Sequence, residues 1–516
     1  MSNPIAGYTI ETKILSFPMV SANRRLLTCI LPSFLARPVA TLIALGAIVG
    51  TVSSAQPQSR ADQGASNLVA VLVSDIHFDP FADPSKVKLL ANSPIENWEG
   101  ILGESGSEGD QSYHKLLEDC GTRGADTPIR LLKASLFEIK DRAPDARLVT
   151  VTGDLLAHSF ECKLRQTLPE ADEKTRNEFA VKTISFVVRL MHKALPGVPI
   201  YWALGNNDSD CGDYRLDARS HFFSAIAPIL TSDVPPSQRT QAVDDFSVAG
   251  YYAVDLPAPI RNGRLLIVDD TFMAARFSTC SGKDDRIGET LTLNWLRQQL
   301  DRSRALHQNV WVMGHIPPGI DLKGALSHGK ASACGTVPKT YLDSETLADQ
   351  LTDSSETVRV ALFGHTHMDE MRLLTPRSSD GTPSAANVAM KIVPSISPIN
   401  GNNPSFLIAN VDLNNAELAD FKLIAASGSD PATIHWNESY DYQLTYHEKA
   451  FNSGAMTQLA AAFRADDEAQ KSESEAYIRN FMPGSGSNLL RLIWPAYACG
   501  QSSQDAAAFA KCYCAK

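Results

Sequence analysis

Short runs of apolar residues recur along the chain, and each run ends abruptly in a cluster of polar residues. The runs are rich in β-branched residues and have the length of strands that are buried on both faces. They occupy residues 68–73, 148–152, 198–204, 265–268, 310–313 and 358–363. Stretches with helical spacing of apolar residues separate several of them, so the pattern predicts an α/β fold.

Two of the intervening helices are marked in the sequence. Thr127 and Pro128 predict the start of one helix, because a hydroxyl side chain can cap free N–H groups and proline suits the first helical position. The apolar residues that follow at helical spacing are Leu131, Leu132, Leu136 and Ile139. A second helix is predicted over residues 289–300, where leucine and tryptophan recur at the same spacing.

The polar clusters at the ends of the predicted strands contain seven candidate metal ligands. These are Asp75, His77, Asp154, Asn206, His315, His365 and His367. Ligands of open α/β sheets bind at the carboxyl ends of strands, which is where we expect these side chains. A single Asp-x-His or His-x-His pair is weak evidence, but two divalent cations need such a mixture of oxygen and nitrogen donors, with one carboxylate between them. The set therefore predicts a dinuclear metal site.

Length and composition fit a folded enzyme. The chain has 516 residues, 44% of them hydrophobic and 20% charged, which suffices for a large catalytic domain and a smaller appendage. The formal net charge of −11 argues against binding to a nucleic-acid backbone, because such binding requires clustered lysine and arginine. A phosphate-bearing ligand of such an acidic chain would therefore be held through metal ions.

Residues 1–55 have the features of an export signal. A positively charged stretch precedes an apolar run at residues 39–50, and small residues lead to a cleavage site after Ala55. A polar linker, residues 56–67, follows. An uncleaved membrane anchor is the alternative, although the run is shorter than the roughly 20 residues that span a bilayer. We expect a periplasmic, secreted or lumenal protein without a stable membrane span in the mature chain.

Eight of the nine cysteines follow the predicted signal, and an even number favours up to four disulfides in an oxidising compartment. Their spacing lacks the two close cysteine pairs that are typical of structural zinc sites. Spacing leaves the disulfide pairing open. From residue 429 onward the sequence becomes aromatic and then alanine-rich. We divide the mature chain into a catalytic domain, residues 68–428, and a smaller, mostly helical, cysteine-containing C-terminal region, residues 429–516.

The order of the polar motifs resembles that of the calcineurin-like metallophosphoesterase superfamily, in which Asp-x-His, Gly-Asp, Gly-Asn-His-Asp/Glu, Gly-His and Gly-His-x-His follow one another. Longer segments resemble the acid sphingomyelinase-like phosphodiesterases within it. These segments are residues 153–158, 314–319, 364–370 and 402–406. The resemblance covers residues 68–423 and implies a four-layer α/β/β/α sandwich of two mixed sheets.

The resemblance also implies a role for each ligand, with Asp154 bridging two metal ions. One ion would be held by Asp75, His77 and His367. The other would be held by Asn206, His315 and His365. A hydroxide between the metals would attack phosphorus in line with the leaving alcohol. The resemblance implies two zinc ions, with manganese and iron as alternatives.

One position departs from the pattern of the superfamily. Asn207 stands where most members have a histidine that protonates the leaving group or stabilises the transition state. An amide can bind a phosphate oxygen but cannot act as a general acid near neutral pH. His158 aligns with another histidine that faces the substrate in the family, so it is either the replacement acid or a phosphate-binding residue only. Fungal endopolyphosphatases also carry Gly-Asn-Asn-Asp, so Asn207 is compatible with activity.

These features predict an exported phosphoesterase that hydrolyses phosphodiester or phosphoanhydride bonds. A broad phosphomonoesterase for phosphate scavenging is a second hypothesis. Sphingomyelin hydrolysis is a third, disfavoured because acid sphingomyelinases carry a lipid-presenting domain ahead of the catalytic strand, whereas about a dozen residues separate Ala55 from residue 68 here. A metal-dependent protein that binds phosphate ligands without turnover is the hypothesis from another class.

Overall fold

The computed structural model describes residues 66–103, 111–326, 334–335, 337–376, 386–485 and 488–515. The predicted export signal lies outside the described residues, and so does nearly all of the predicted linker. No helix within the described ranges is long and apolar enough to cross a membrane.

Twelve strands form two six-stranded sheets in the described part of the chain. The strands of the first sheet are β1 (Asn67–Val73), β2 (Leu148–Val151), β3 (Ile200–Trp202), β10 (Ser405–Asp412), β11 (Leu418–Ala426) and β12 (Trp436–Asp441). Those of the second are β4 (Tyr252–Asp255), β5 (Gly263–Ile267), β6 (Asn309–Met313), β7 (Val358–Phe363), β8 (Glu370–Leu374) and β9 (Val388–Ile392).

Both sheets are mixed. The first has the order β12-β11-β10-β1-β2-β3, with β1, β2 and β3 parallel and the other pairs antiparallel. The second has the order β4-β5-β6-β7-β9-β8, with a parallel centre and an antiparallel strand at each edge. The six predicted strands are confirmed as β1, β2, β3, β5, β6 and β7. They are therefore the parallel strands whose carboxyl ends the polar clusters follow.

Helices cover the outer faces of the sheets and complete a four-layer α/β/β/α sandwich. Ile129–Arg142 packs against Glu173–Ala194, and Pro236–Ala249 and Ile287–Ala305 contact β4, β5 and β6. The remaining α-helices before β12 are Val87–Asn92, Trp98–Gly103, Gln111–Asp119, Phe160–Thr167, His221–Leu230, Leu322–Leu326 and Thr346–Thr352. Between the sheets, Trp311 Nε1 donates a hydrogen bond to the carbonyl of Ala416 at 2.6 Å.

The two predicted helices exist, with different ends. The first begins at Ile129, and Pro128 occupies the cap position without a side-chain hydrogen bond. Thr127 does not cap it, because its Oγ1 makes no hydrogen bond within the described residues. Its backbone pairs with another segment: its N–H donates to the His77 carbonyl at 3.1 Å, and its carbonyl accepts from Asp79 N at 2.9 Å. The prediction of a Thr127 cap was therefore wrong. The second predicted helix is longer than expected and spans Ile287–Ala305.

The C-terminal region is mostly helical and begins with a strand, since β12 extends the first sheet. Its helices are Tyr442–Tyr446, Ser453–Arg464, Ser472–Phe481, Asn488–Leu492, Trp494–Gly500 and Ala506–Tyr513. A buried carboxylate of β8, which is itself ion-paired within that strand, connects β8 to this region. Arg372 Nη2 lies 2.9 Å from Glu370 Oε2, and Tyr497 donates its hydroxyl to the same carboxylate at 2.5 Å.

All eight cysteines after the predicted signal are paired, which confirms the expectation of four disulfides. The pairs are Cys120–Cys162, Cys211–Cys280, Cys334–Cys514 and Cys499–Cys512. Four disulfides are typical of a protein that folds in an oxidising compartment.

The buried Glu370–Arg372 pair generates a stability prediction. Replacing Arg372 by Met leaves the carboxylate of Glu370 buried and uncompensated, because the two side chains are only 1% and 3% exposed. We expect the free energy of unfolding to fall by about 3–5 kcal/mol in a denaturant titration. Lys422→Met is the control, since Lys422 and Glu438 pair with side chains 41% and 42% exposed, and its loss should stay within about 1 kcal/mol. Equal losses in the two variants would contradict a structural role for the buried pair.

Candidate metal centre

Loops at the carboxyl ends of parallel strands from both sheets meet at one place. Asp75 and His77 follow β1, Asp154 follows β2 and Asn206 follows β3. From the second sheet, His315 follows β6, and His365 and His367 follow β7. Hydrogen bonds across the sheets hold these loops together, including His315 Nδ1 with the carbonyl of Thr152 at 2.7 Å. The structure thus brings together all seven side chains that the sequence analysis selected.

Five of these seven residues have a left-handed backbone although none is glycine. Their φ angles lie between 42° and 72°, at Asp75, His77, Asp154, His365 and His367. Such a conformation costs about 1–3 kcal/mol per residue and persists only where the surroundings impose it. Strain of this kind is typical of functional sites, because it turns side chains toward a common point that regular strands do not reach.

The first group of ligands surrounds the carboxylates of Asp75 and Asp154. His77 Nε2 lies 3.3 Å from Asp154 Oδ2 and 3.7 Å from Asp75 Oδ1. His367 Nε2 lies 3.4 Å from Asp75 Oδ1. Ligand atoms of Asp75, His77 and Asp154 lie within 4.8 Å of one another. This spacing is suited to a cation shared between oxygen and nitrogen donors.

The second group lies on the other side of Asp154. His315 Nε2 is 3.1 Å from Asp154 Oδ2, and ligand atoms of Asp154, His315 and His365 lie within 4.8 Å of one another. His365 Nδ1 and Asn206 Oδ1 are 2.8 Å apart. Asn206 Nδ2 donates to Asp213 Oδ1 at 2.6 Å, which leaves the amide oxygen of Asn206 directed at His365. Asp154 therefore belongs to both groups.

Hydrogen bonds behind the ligands set the tautomers of two histidines. The Nδ1 atoms of His77 and His315 donate to backbone carbonyls, at 2.8 Å to Leu156 and 2.7 Å to Thr152. Their Nε2 atoms are buried and have no hydrogen-bond partner among the described residues. Buried ring nitrogens without a partner are costly, and metal coordination would satisfy them. The donor set therefore fits the metal ions that the sequence predicts.

Burial and the neighbouring charges divide the histidines into two classes. Burial opposes the imidazolium form, but the surrounding carboxylates, Asp154 foremost and Asp75 with it, together outweigh burial and raise the pKa of His77 to about 9 and that of His315 to about 10. Burial lowers the pKa of His365 and of His367 to about 3. The carboxylates thus favour positive charge, in the form of ring protons, at His77 and His315. Divalent cations would supply the same positive charge and displace these protons.

Asn207 contacts the shared carboxylate. Its backbone N–H donates to Asp154 Oδ1 and its side-chain Nδ2 to Asp154 Oδ2, each at 2.9 Å. Both oxygens of Asp154 therefore accept a hydrogen bond from this one residue, which is only 5% exposed. The geometry gives Asn207 a role in orienting Asp154.

His158 lies at the edge of the ligand set. Its ring stacks on that of His77 with centroids 3.9 Å apart, and its side chain is 29% exposed. Ring nitrogens of His77, His158 and His367 lie within 4.8 Å of one another. His158 Nδ1 is 3.0 Å from Asp126 Oδ1, and the His158 backbone N–H donates to Asp126 Oδ2 at 2.8 Å. Burial tends to raise the pKa of Asp126, but His158 and Lys163 hold that pKa below its ordinary value.

Sequence reasoning did not select several residues that shape the centre. Asp208 accepts hydrogen bonds from the backbone N–H groups of Leu155, Leu156 and Gly205 and thereby joins two ligand loops. Asp208 is the last residue of the Gly-Asn-Asn-Asp motif, so its place in that motif could have identified it. Tyr341 packs edge-on against His365 at 5.5 Å between centroids, and no local motif marked it.

Comparisons with known proteins agree with the geometry. The family model for the calcineurin-like phosphoesterases matches residues 69–369. The human acid sphingomyelinase-like phosphodiesterase 3b is 22% identical over 388 residues, which cover 72% of this chain and 74% of that protein. The human cyclic GMP-AMP phosphodiesterase SMPDL3A is 21% identical over 354 residues, covering 67% and 71% of the two chains.

A solved dimetal phosphatase from Danio rerio is also similar, with a TM-score of 0.35, 12% identity and coverage of 72% of this chain and 98% of that chain. The curated relatives are hydrolases that act on phosphoric esters. Because the family model matches more than half of the residues, and the matched part contains all seven clustered ligands, this chain belongs to the calcineurin-like phosphoesterase family.

Proposed function

We propose that this protein is an exported, dinuclear-metal phosphoesterase that hydrolyses phosphodiester or phosphoanhydride bonds. The main supporting observation is the position of Asp154, whose carboxylate is shared by two groups of buried donors. The four disulfides support export, and the proposed leader is residues 1–55. The proposed catalytic domain, residues 68–428, contains every donor, and β12 from the proposed C-terminal region, residues 429–516, extends its first sheet.

The ligand assignment follows the two groups. Asp75, His77 and His367 would hold one cation. Asn206, His315 and His365 would hold the other, with Asp154 between them. When bound, two such cations activate water for attack and neutralise negative charge on the phosphoryl oxygens. We propose zinc because four of the seven donors are imidazoles, and manganese and iron are the alternatives to be compared in reconstitution.

Two residues outside the proposed ligand groups have separate roles: one orients Asp154 and the other transfers a proton. Asn207 holds Asp154 through two hydrogen bonds and has no acidic proton to give. His158 stacks on the ring of His77 without belonging to either proposed group, and its side chain is partly open to solvent. We assign to it the transfer of a proton to the leaving alcohol.

The names of the relatives support a diester substrate. Acid sphingomyelinase-like phosphodiesterase 3b and cyclic GMP-AMP phosphodiesterase are both named for attack on phosphodiesters. Turnover of bis(p-nitrophenyl) phosphate in excess of p-nitrophenyl phosphate is the result expected for this protein. A preference for the monoester would favour the phosphomonoesterase hypothesis, and tight phosphate binding without turnover would favour a binding protein.

Metal content tests the centre directly. The mature protein should contain about two divalent cations per chain, full chelation should abolish activity, and Zn²⁺ or Mn²⁺ should restore it. Metal analysis of purified protein together with hydrolysis assays provides the measurement. Full activity in the chelated, metal-free protein would refute the proposed mechanism.

Asp154→Ala should be the most damaging single ligand change, because it removes the carboxylate shared by both groups. We expect fewer than one bound metal per chain and loss of activity. Asp233→Ala is the control, since Asp233 pairs with His192 at 2.8 Å outside the centre; it should keep both metals. Two tightly bound metals in Asp154→Ala would rule out the shared position of this residue.

His158→Ala tests proton transfer. An alkoxide leaving group requires a proton, whereas nitrophenolate requires it far less, so activity should fall by about 10²–10⁴-fold on alkyl diesters and much less on nitrophenyl esters. The control is His192→Ala, because His192 is also a half-exposed histidine paired with a carboxylate. Asn207→His should partly restore alkyl-ester turnover in the His158→Ala background. Equal losses on both ester types would place His158 in phosphate binding instead.

A further inference from the structure

Behind His158 lies a closed set of buried polar side chains that has no direct contact with the proposed metal ligands through its charged atoms. We call it the Asp126 cluster, and its members are Asp79, Tyr113, Asp126, Lys163 and Ser397. Each of the five is at most 4% exposed. Buried ionic groups are costly to assemble, so their arrangement around a partly exposed histidine calls for a physical explanation.

Asp126 forms two hydrogen bonds with His158. Its Oδ2 accepts the backbone N–H of His158 at 2.8 Å, and its Oδ1 lies 3.0 Å from the ring Nδ1. A carboxylate can only accept, so Nδ1 carries the hydrogen and Nε2 is left as the nitrogen that exchanges protons with a substrate. Holding the main chain and the ring together limits rotation of the side chain about both of its torsions.

Lys163 supplies the charge that keeps Asp126 in place. Its ammonium lies 3.5 Å from Asp126 Oδ2 and 2.8 Å from Asp79 Oδ2, and it is fully buried. Asp79 in turn accepts hydrogen bonds from the Tyr113 hydroxyl and from the backbone N–H of Phe81, both at 2.9 Å. Any displacement of Asp79 or Lys163 would therefore break buried hydrogen bonds and ion pairs.

Ser397 connects the cluster to the metal-ligand loops. Its hydroxyl donates to Asp126 Oδ1 at 2.9 Å, while its backbone N–H donates to the carbonyl of Asp75 at 3.0 Å. A chain of hydrogen bonds thereby connects His158 through Asp126 and Ser397 to Asp75, a proposed metal ligand.

We propose that Asp126 is a positioning residue that fixes the tautomer and the orientation of His158 for proton transfer to the leaving group. The inference rests on the proposed function. It matters in this chain because Asn207, which stands where most members of the family have a second histidine, donates its hydrogen bonds to Asp154, so His158 acts without a partner acid. Its orientation then decides the rate with poor leaving groups.

The main test compares Asp126→Asn with wild-type, metal-loaded protein. An amide can donate to Nδ1 and reverse the tautomer, so kcat on an alkyl phosphodiester should fall by about 10–100-fold. KM, metal content and turnover of p-nitrophenyl diesters should change little. The same loss on both ester types would overturn the proposal.

Asp79→Asn is the control within the same cluster. It makes the same chemical change at an equally buried carboxylate that binds Lys163 but not His158. A similar leaving-group selectivity in Asp79→Asn would mean that the effect is general disruption, which would also overturn the proposal. Ser397→Ala removes one bond to Asp126 and should give a smaller loss with the same selectivity, which provides a milder variant if Asp126→Asn folds poorly.

Two further measurements separate this inference from the proposed acid role. In the double variant Asp126→Asn with His158→Ala, the alkyl-ester rate should equal that of His158→Ala alone, because the imidazole that Asp126 positions has been removed. The ¹⁵N resonances of His158 should show a protonated Nδ1 in the wild type and a shifted tautomer in Asp126→Asn. If Asp126→Asn changes the tautomer of His158 but His158→Ala shows no leaving-group selectivity, the acid role is refuted while Asp126 still positions the His158 ring. If the tautomer is unchanged in Asp126→Asn, the positioning role is refuted.

Discussion

The centre depends on a single carboxylate held between imidazoles from two sheets. Asp154 follows β2 of the first sheet, yet its Oδ2 lies 3.1 Å from His315 of the second sheet. Asn207 donates two hydrogen bonds to the carboxylate of Asp154. The neighbouring Asp208 accepts hydrogen bonds from the backbone N–H groups of Leu155 and Gly205 and so joins the loops on either side. Without this shared carboxylate, the imidazolium forms of His77 and His315 would repel one another, so one residue holds together donors from both sheets.

Local sequence pattern predicted the parallel strands and the candidate ligands that cluster at their ends, because both are encoded within a few residues. A buried strand requires a continuous apolar run, and the turn after it places polar residues at its end. Strands β4 and β8 to β12 were not predicted, because they do not form a continuous apolar run that ends in a cluster of candidate ligands; in β12, for example, only Trp436 and Tyr440 are buried. Thr127 was misassigned for a different reason: its backbone pairs with the segment after β1, which no local pattern could indicate.

The residues around the ligands were harder to infer than the ligands themselves. Asp126 and Lys163 are distant in sequence and meet behind His158 only in the folded protein. Tyr341 reaches His365 from another loop, and Arg372 stacks on that tyrosine at 5.6 Å. Since Arg372 also pairs with Glu370, which binds Tyr497, the C-terminal region supports the metal centre through a continuous series of contacts.

The left-handed backbone at five of the seven donors has an evolutionary consequence. These residues keep a conformation that glycine and asparagine adopt more readily, so the fold alone does not favour the aspartates and histidines found there. A descendant released from selection for hydrolysis would gain stability by accepting glycine at these positions. Replacement of the five side chains by glycine in a homologue would therefore indicate that its lineage has kept the scaffold for another purpose.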